Sequence, residues 1–249
     1  MRRLFLMVAV VAVVSLGVSC VLQIQQDARR IESSHEFRMI ALALVNHSSG
    51  HSSLPQPVYY DPSNSEVELY SWRYRIIPNI ASYKMNVAFE HPWEHPANSM
   101  WLRVPQPYAF GGWGNGMGDT RNYSDIPTET SVYAITGPDT AFGDGELHAP
   151  SSVDDLPHDI ILAAEIRGSG HHWMQNGDFD IRTITKSIGS SDGNSISGNH
   201  KDGFFIMFAD TKIWFLSNDT PFEKLSLFFT IEGATANDRE KILSEYRQL

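Results

Sequence analysis

The residues with which this chain could do chemistry are histidines, carboxylates and one serine, in separate groups. His91 and His95 stand four apart with Glu94 between them. On a helix that spacing places two metal ligands on one face. Pro92 and Pro96 oppose a regular helix, so the segment reads as a Pro-rich loop with Trp93 docked as an anchor. His171-His172-Trp173, close to Asp178 and Asp180, is a second cluster and reads as surface loop before it reads as a metal site. Gly189-Ser190-Ser191-Asp192-Gly193 fits Gly-x-Ser-x-Gly. A nucleophile elbow needs a strand before that serine and a helix after it, and no helix would start in the polar run up to Gly198. His200 and Asp210 could serve as a base and its orienter. Their place at the two ends of a strand favours a structural hydrogen bond or a turn-capping carboxylate. Glu165 closes an apolar strand, and an ion pair with a buried arginine such as Arg73 is a better use for it than acid–base chemistry.

Gly111-Gly112-Trp113-Gly114-Asn115-Gly116-Met117-Gly118 holds five glycines in eight positions. It satisfies Gly-x-Gly-x-x-Gly in no register and lacks a P-loop lysine, so it reads as a flexible loop. Tyr108, Trp113 and Trp173 are the candidate contacts for a sugar or a partner. The expectation is therefore no catalytic residues, no metal and no cofactor, with Trp72, Arg73, Trp93, Glu165, His200 and Asp210 as structural positions.

The elements that must place these residues begin with a long helix. From Gln23 to about His47 there is no Pro or Gly, and Ile24, Ile31, Phe37, Ile40, Ala41, Leu44 and Val45 recur at helical spacings with a slip near Ser34. Ser48-Ser49-Gly50 should end that helix, with Pro55 and Pro57 beyond it. Residues 71–77 fit either a strand or a helix stopped by Pro78, and 91–128 read as irregular. Strands are expected over 131–136, 159–166, 180–185, 203–209 and 212–216. The last two form a hairpin through Asp210-Thr211-Lys212, although glycine would suit that turn better. A final helix is expected over 237–247, starting at Thr235-Ala236-Asn237-Asp238 with Ile242, Leu243 and Tyr246 inward. Residues 189–198 read as a surface loop.

Composition sets the frame. The chain has 249 residues, 19 Lys+Arg against 29 Asp+Glu, and a net charge of −10. That balance excludes a nucleic-acid binder, which needs a basic stripe for phosphates. Aromatics at 11% and 18 glycines exclude a largely disordered chain. The one cysteine, Cys20, excludes intramolecular disulfides and thiolate clusters. Charge is unevenly spread: positions 4–26 carry none, while residues 27–249 carry 17 basic and 29 acidic groups. The run Leu4–Leu22 would extend roughly 28 Å as a helix, close to the hydrocarbon thickness of a bilayer. Arg2-Arg3 before it favours a cytoplasmic start and an external body. An uncleaved signal anchor leads. A lipoprotein signal ending at Cys20 and a cleaved signal peptide are the alternatives.

Several segments in order carry a resemblance. They are Ala41–His47 followed by Leu54-Pro55, Ser71-Trp72-Arg73, Pro92–Asn98, Tyr133–Pro138, Ile161–Glu165, Asn199-His200, Phe208-Ala209-Asp210 and Phe215-Leu216-Ser217. From about residue 25 to 232 the chain resembles the DUF1559 family, abundant in planctomycetes and described as prepilin-like, with a His-x9-Asp-Gly signature. Nine residues separate His200 from Asp210, as in that signature. The resemblance implies a type IV pilin-like or pseudopilin-like α+β fold: a long N-terminal membrane-spanning helix packed on an antiparallel sheet, with a Pro/Gly-rich insertion and a short C-terminal helix. Three features depart from the pattern. Positions 4–26 lack the Glu of a prepilin processing site, Asp210 is followed by Thr211, and Val104-Pro105-Gln106-Pro107 stands where a Cys-Pro segment is usual.

The expectation is then an anchor at 1–26 and an extracytoplasmic domain at 27–249. The chain would sit in the inner membrane, N-terminus cytoplasmic and body periplasmic, as a non-enzymatic pseudopilin-like protein. Its partners would be the membrane and other pilin-like or secretion-apparatus subunits, with no nucleic acid. The alternative is an extracytoplasmic solute- or polysaccharide-binding module.

Overall fold

The computed structural model describes residues 2–80, 88–99, 129–144, 148–190 and 192–248; the side chains of residues 2–16 and Ser19 also fall outside the description. The fold is α+β. Helix α1 (Arg2–His51) is one continuous element of 50 residues, four longer at its end than the sequence suggests. β1 (Val58–Asp61) and β2 (Asn64–Ser71) form a hairpin with no counterpart in the sequence reading. β2 runs directly into α2 (Trp72–Ile80), which contains Pro78 instead of ending at it. That proline removes the N–H that would bond the Tyr74 carbonyl, a loss near the helix end.

A six-stranded sheet forms the centre, in the order β5-β3-β4-β6-β7-β8. Its strands are β3 (Val132–Thr136), β4 (Ile161–Glu165), β5 (Phe179–Asp180), β6 (Gly203–Phe208), β7 (Ile213–Ser217) and β8 (Arg247–Gln248). All neighbours are antiparallel except β3 and β5. The apolar runs 132–136, 161–165 and 203–208 are buried along their whole length. A strand with no polar alternation is covered on both faces, and here two different layers cover it. Phe37 of α1 meets Phe205, which meets Phe215, on one face. On the other, Arg239 lies over Phe208 and Trp214.

The single helix expected over 237–247 is shorter, ending at Leu243, and two further short helices precede it. α3 (Phe222–Ser226), α4 (Ile231–Ala236) and α5 (Arg239–Leu243) are short, and a 3-10 turn leads into β8. Asp238, not Thr235, caps α5, accepting from the N–H groups of Glu240 and Lys241. The strand expected over 180–185 is reduced to β5, because the N–H groups of Thr183 and Ile184 turn back to the Asp180 carbonyl. The β6–β7 hairpin forms as expected, with Thr211 in the left-handed region at φ 65°.

The apolar face of α1 is shorter than its sequence period. Phe37, Ile40, Ala41, Ala43 and Leu44 are buried, whereas Ile24 and Ile31 are 63% and 73% exposed. Packing thus starts near Ser33. Among the described residues no helix is long and apolar enough to cross a membrane. The anchor assigned to 1–26 falls mostly on side chains outside the described residues.

Candidate functional site

The most elaborate polar arrangement joins α1 to the sheet. Glu165, at the end of β4, points at a segment that connects to β6. Its Oε1 accepts the N–H of Asn199 at 3.0 Å and its Oε2 accepts that of Phe205 at 3.1 Å. The Ser197 N–H bonds the Glu165 carbonyl at 3.0 Å. The segment passes so close to the sheet that side chains are excluded at two positions. A Cβ on Gly198 would meet the Gly203 carbonyl oxygen at 2.0 Å, and one on Gly203 would meet that of Leu216 at 2.2 Å. This tight passage presents His200 to α1. His200 Nε2 lies 3.1 Å from Ser33 Oγ, and the ring stands edge-on to Phe205 and Phe215, 5.4 Å from each. One turn back along the helix Arg30 pairs with Asp202, and two turns back Gln26 donates to the same carboxylate at 3.1 Å. The Arg30 guanidinium covers the Phe215 ring at 4.7 Å.

Burial sets the charge states here. Desolvation pushes Glu165 up to about 7, against the two N–H bonds that favour its anion. Desolvation, helped by the Arg30 charge, pushes His200 down to about 4, so it is neutral at pH 7. The joint is a hydrogen-bonded lock with no acid–base pair in it.

The second polar centre lies where α2 meets the opposite edge of the sheet. Trp72 and Arg73 open α2 and reach under β3. Arg73 donates to the carbonyls of Trp173, Val132, Gln175 and Gly177 at 3.2, 3.1, 3.0 and 2.9 Å, and to Asp178 Oδ1 at 2.9 Å. Trp72 Nε1 and the Ala134 N–H complete that oxygen, at 2.9 and 3.0 Å. The pair is almost wholly buried, with side-chain exposures of 0% and 4%. Burial raises the Asp178 carboxyl and the Arg73 charge opposes it. The sequence expectation of an Arg73–Glu165 pair is therefore corrected: Arg73 takes Asp178, and Glu165 takes backbone amides.

The remaining candidates separate. His200 and Asp210 sit at opposite ends of β6 and do not form a dyad. Asp210 caps the hairpin by accepting the Lys212 N–H at 3.1 Å and pairs with Arg239. His91 and His95 stack ring on ring with centroids 4.0 Å apart, and His95 Nδ1 accepts the Ala97 N–H. Trp93 stacks on His172 at 4.9 Å, and its N–H bonds the Leu69 carbonyl. Trp173 is buried in the core, 5.9 Å from Tyr74, where no ligand at the surface reaches it; its candidacy as a contact residue is corrected. Ser195, Ile196 and Ser197 are buried too, so the 189–198 segment is not wholly a surface loop. Tyr108, Trp113, the glycine run 111–118 and Ser191 lie outside the described residues. Among the described residues, no three His, Cys, Asp or Glu side chains are grouped to hold a metal ion.

The helix–sheet joint and the Arg73 centre both use residues between 23 and 128. That stretch matches the family model described as protein of unknown function (DUF1559). Over those residues the chain is similar to the DUF1559 family. The match includes Ser33 and Arg30 of the joint and Trp72 and Arg73 of α2. His200 and Asp210, the signature pair of the DUF1559 resemblance, lie beyond it. No curated protein and no solved structure matches this chain.

Sequence reasoning missed Ser33, Asp202 and the role of Asp178. Ser33 had a readable signal: it is a small polar residue on the helix stripe continued by Phe37, Ile40 and Leu44, where only a polar partner could satisfy it.

Proposed function

We propose that this protein is a membrane-anchored, extracytoplasmic, pseudopilin-like subunit with a structural or interaction role in a secretion or pilus-like apparatus, and that it performs no catalysis. One observation carries the reading: α1 enters the body without a linker, and its second half is core. Phe37, Ile40 and Leu44 are buried against the sheet, and Ser33–His200 and Arg30–Asp202 fasten the same helix. An anchor joined in this way fixes the orientation and height of its body above the bilayer, as a subunit of an ordered assembly needs. The apolar run Leu4–Leu22 supplies the span. A flexible tether would serve a freely diffusing enzyme equally well and would leave these polar bonds without purpose.

The test is fractionation of the full chain expressed in a Gram-negative host. The reading expects it in the membrane pellet, resistant to alkaline carbonate, with the body cleaved by protease added to spheroplasts. Recovery of the intact chain in the soluble fraction would overturn the reading. So would an intact, functional body after residues 1–48 are replaced by a cleavable signal peptide.

A further inference from the structure

The helix–sheet joint fixes how high the body stands above the bilayer. Helix α1 is unbroken from Arg2 to His51, so height along it follows from the rise per residue. With Leu4–Leu22 as the span, Gln26 lies about 6 Å beyond Leu22, Arg29 about 10 Å and Arg30 about 12 Å. The polar layer of one leaflet is about 5–8 Å thick. A turn of the body is held at this level, because Gln26 and Arg30 both bind Asp202, just before β6. The base of the body and the lipid headgroups are therefore neighbours.

Two cations stand on that base. Arg29 and Lys201 are exposed, and neither makes an ion pair among the described residues. Arg29 is close enough for its charge to act on His200, the neighbour of Lys201, so both share one flank of the helix. Side chains on a helix lean toward its N-terminus, which aims Arg29 at the bilayer. Three carboxylates share the level. Asp202 is taken by Arg30, and Asp27 accepts from Gln23 at 3.0 Å. Asp219 follows Asn218, whose side chain donates to the Lys201 carbonyl at 3.2 Å. These acids are short, whereas Arg and Lys carry their charge on long stems that reach an interface. The rest of the body makes such cations matter: residues 27–249 hold 17 basic and 29 acidic groups, a balance that an anionic surface repels.

We infer that the base of the body is a docking surface for anionic lipid headgroups, whose phosphates are taken by Arg29 and Lys201. The inference rests on the anchored reading of Leu4–Leu22 and deepens it by naming a partner. The occupant is a bilayer lipid and not a free anion, because the span holds both cations beside the headgroup layer. Docked in this way, the body rests on the membrane at two points, the anchor helix and the turn before β6.

Native mass spectrometry of the full chain, released from neutral detergent micelles doped with phosphatidylglycerol or with phosphatidylcholine of the same acyl chains, tests it. The surface predicts saturable retention of phosphatidylglycerol over phosphatidylcholine. Each of Arg29→Gln and Lys201→Gln should weaken that retention about fivefold, while Lys241→Gln, at an exposed lysine of α5, leaves it unchanged. Both replaced residues are exposed, so the variants keep the fold, and their urea midpoints verify it. Equal retention of the two lipids, or unchanged retention in the folded double variant R29Q/K201Q, overturns the proposal. Displacement of phosphatidylglycerol by inorganic phosphate would make the surface a free-anion site and overturn the lipid assignment. Recovery of the chain in the soluble fraction defeats the anchored reading and this inference together. A membrane-bound chain indifferent to phosphatidylglycerol defeats this inference alone.

Discussion

Glu165 and Asp178 are both buried carboxylates beside the same sheet, and the protein treats them in opposite ways. Asp178 has a guanidinium against it, plus an indole N–H and an amide on the same oxygen. Among the described residues Glu165 has no side-chain cation bonded to it; two backbone N–H groups take its two oxygens. The guanidinium opposes the rise that burial imposes on Asp178 and makes the pair a fixed node. Amides alone leave it close to the point of taking up a proton, as its rise to about 7 indicates. The first region is a rigid centre under α2, and the second is a joint that holds α1 by way of His200. The difference teaches that the joint holding α1 contains a carboxyl that titrates near neutral pH, while the centre under α2 is held by an ion pair.

The comparison breaks most visibly at Arg73. Arg73→Met leaves Asp178 buried without its cation, held only by Trp72 and the Ala134 N–H, and strips four carbonyls of a donor. The expected loss is about 3–5 kcal/mol in urea unfolding of the detergent-solubilised chain, and Arg73→Lys recovers little of it because an ammonium cannot span those acceptors.

Next in size is the pH dependence at Glu165. Its folded-state value lies above the ordinary 4.5, so the folded protein binds the extra proton between about 4.5 and 7. Its contribution to stability is full below 4.5 and is lost as pH rises through 7, by up to about 3 kcal/mol. His200 runs the other way. With its value lowered from 6.5 to about 4, its contribution is full above 6.5 and is lost as pH falls toward 4. Unfolding midpoints measured from pH 4 to 8 should show both slopes, with E165Q reducing the first and H200F the second; His47, also lowered to about 4 by burial, keeps part of the second.

Smaller still is Ser33→Ala, which removes one neutral hydrogen bond from the joint. The expected cost is about 1 kcal/mol, read as a fall in urea midpoint with the Asp178 region unaffected. The smallest is Thr211→Gly at the β6–β7 turn, where φ is 65°. Relief of a β-branched residue in the left-handed region should stabilise by about 0.5–1 kcal/mol and leave both pH slopes in place, so it serves as the control for them.

Much of the scaffold is visible in the sequence. The unbroken stretch from Gln23 to His47 marks α1, and the apolar blocks at 132–136, 161–165 and 203–208 mark the inner strands, because each bears a pattern carried by neighbours in the chain. What hides is what depends on distant pairing. Arg73 and Glu165 each read as buried charges in need of a partner, and joining them to each other is the economical guess. Their true partners are set by topology: the two-residue strand β5 brings Asp178 beneath Arg73, and the glycine passage at 198–203 brings amides to Glu165. Neither a two-residue strand nor a close backbone approach leaves a periodic trace. The C-terminal helix misleads for a related reason. Its helical pattern through Tyr246 is genuine locally, yet the ladder offered by β7 captures Arg247 and Gln248. Trp173 shows that an aromatic beside histidines and carboxylates in a loop can be a core residue.

The central claim is that the outer half of α1 is part of the body's fold and not a tether to it. Hydrogen exchange on the full chain in detergent micelles or nanodiscs tests this directly. The account predicts that the amides of residues 34–48 exchange as slowly as those of β6, through opening of the whole domain. Fast exchange over 34–48 while β6 stays protected would contradict it.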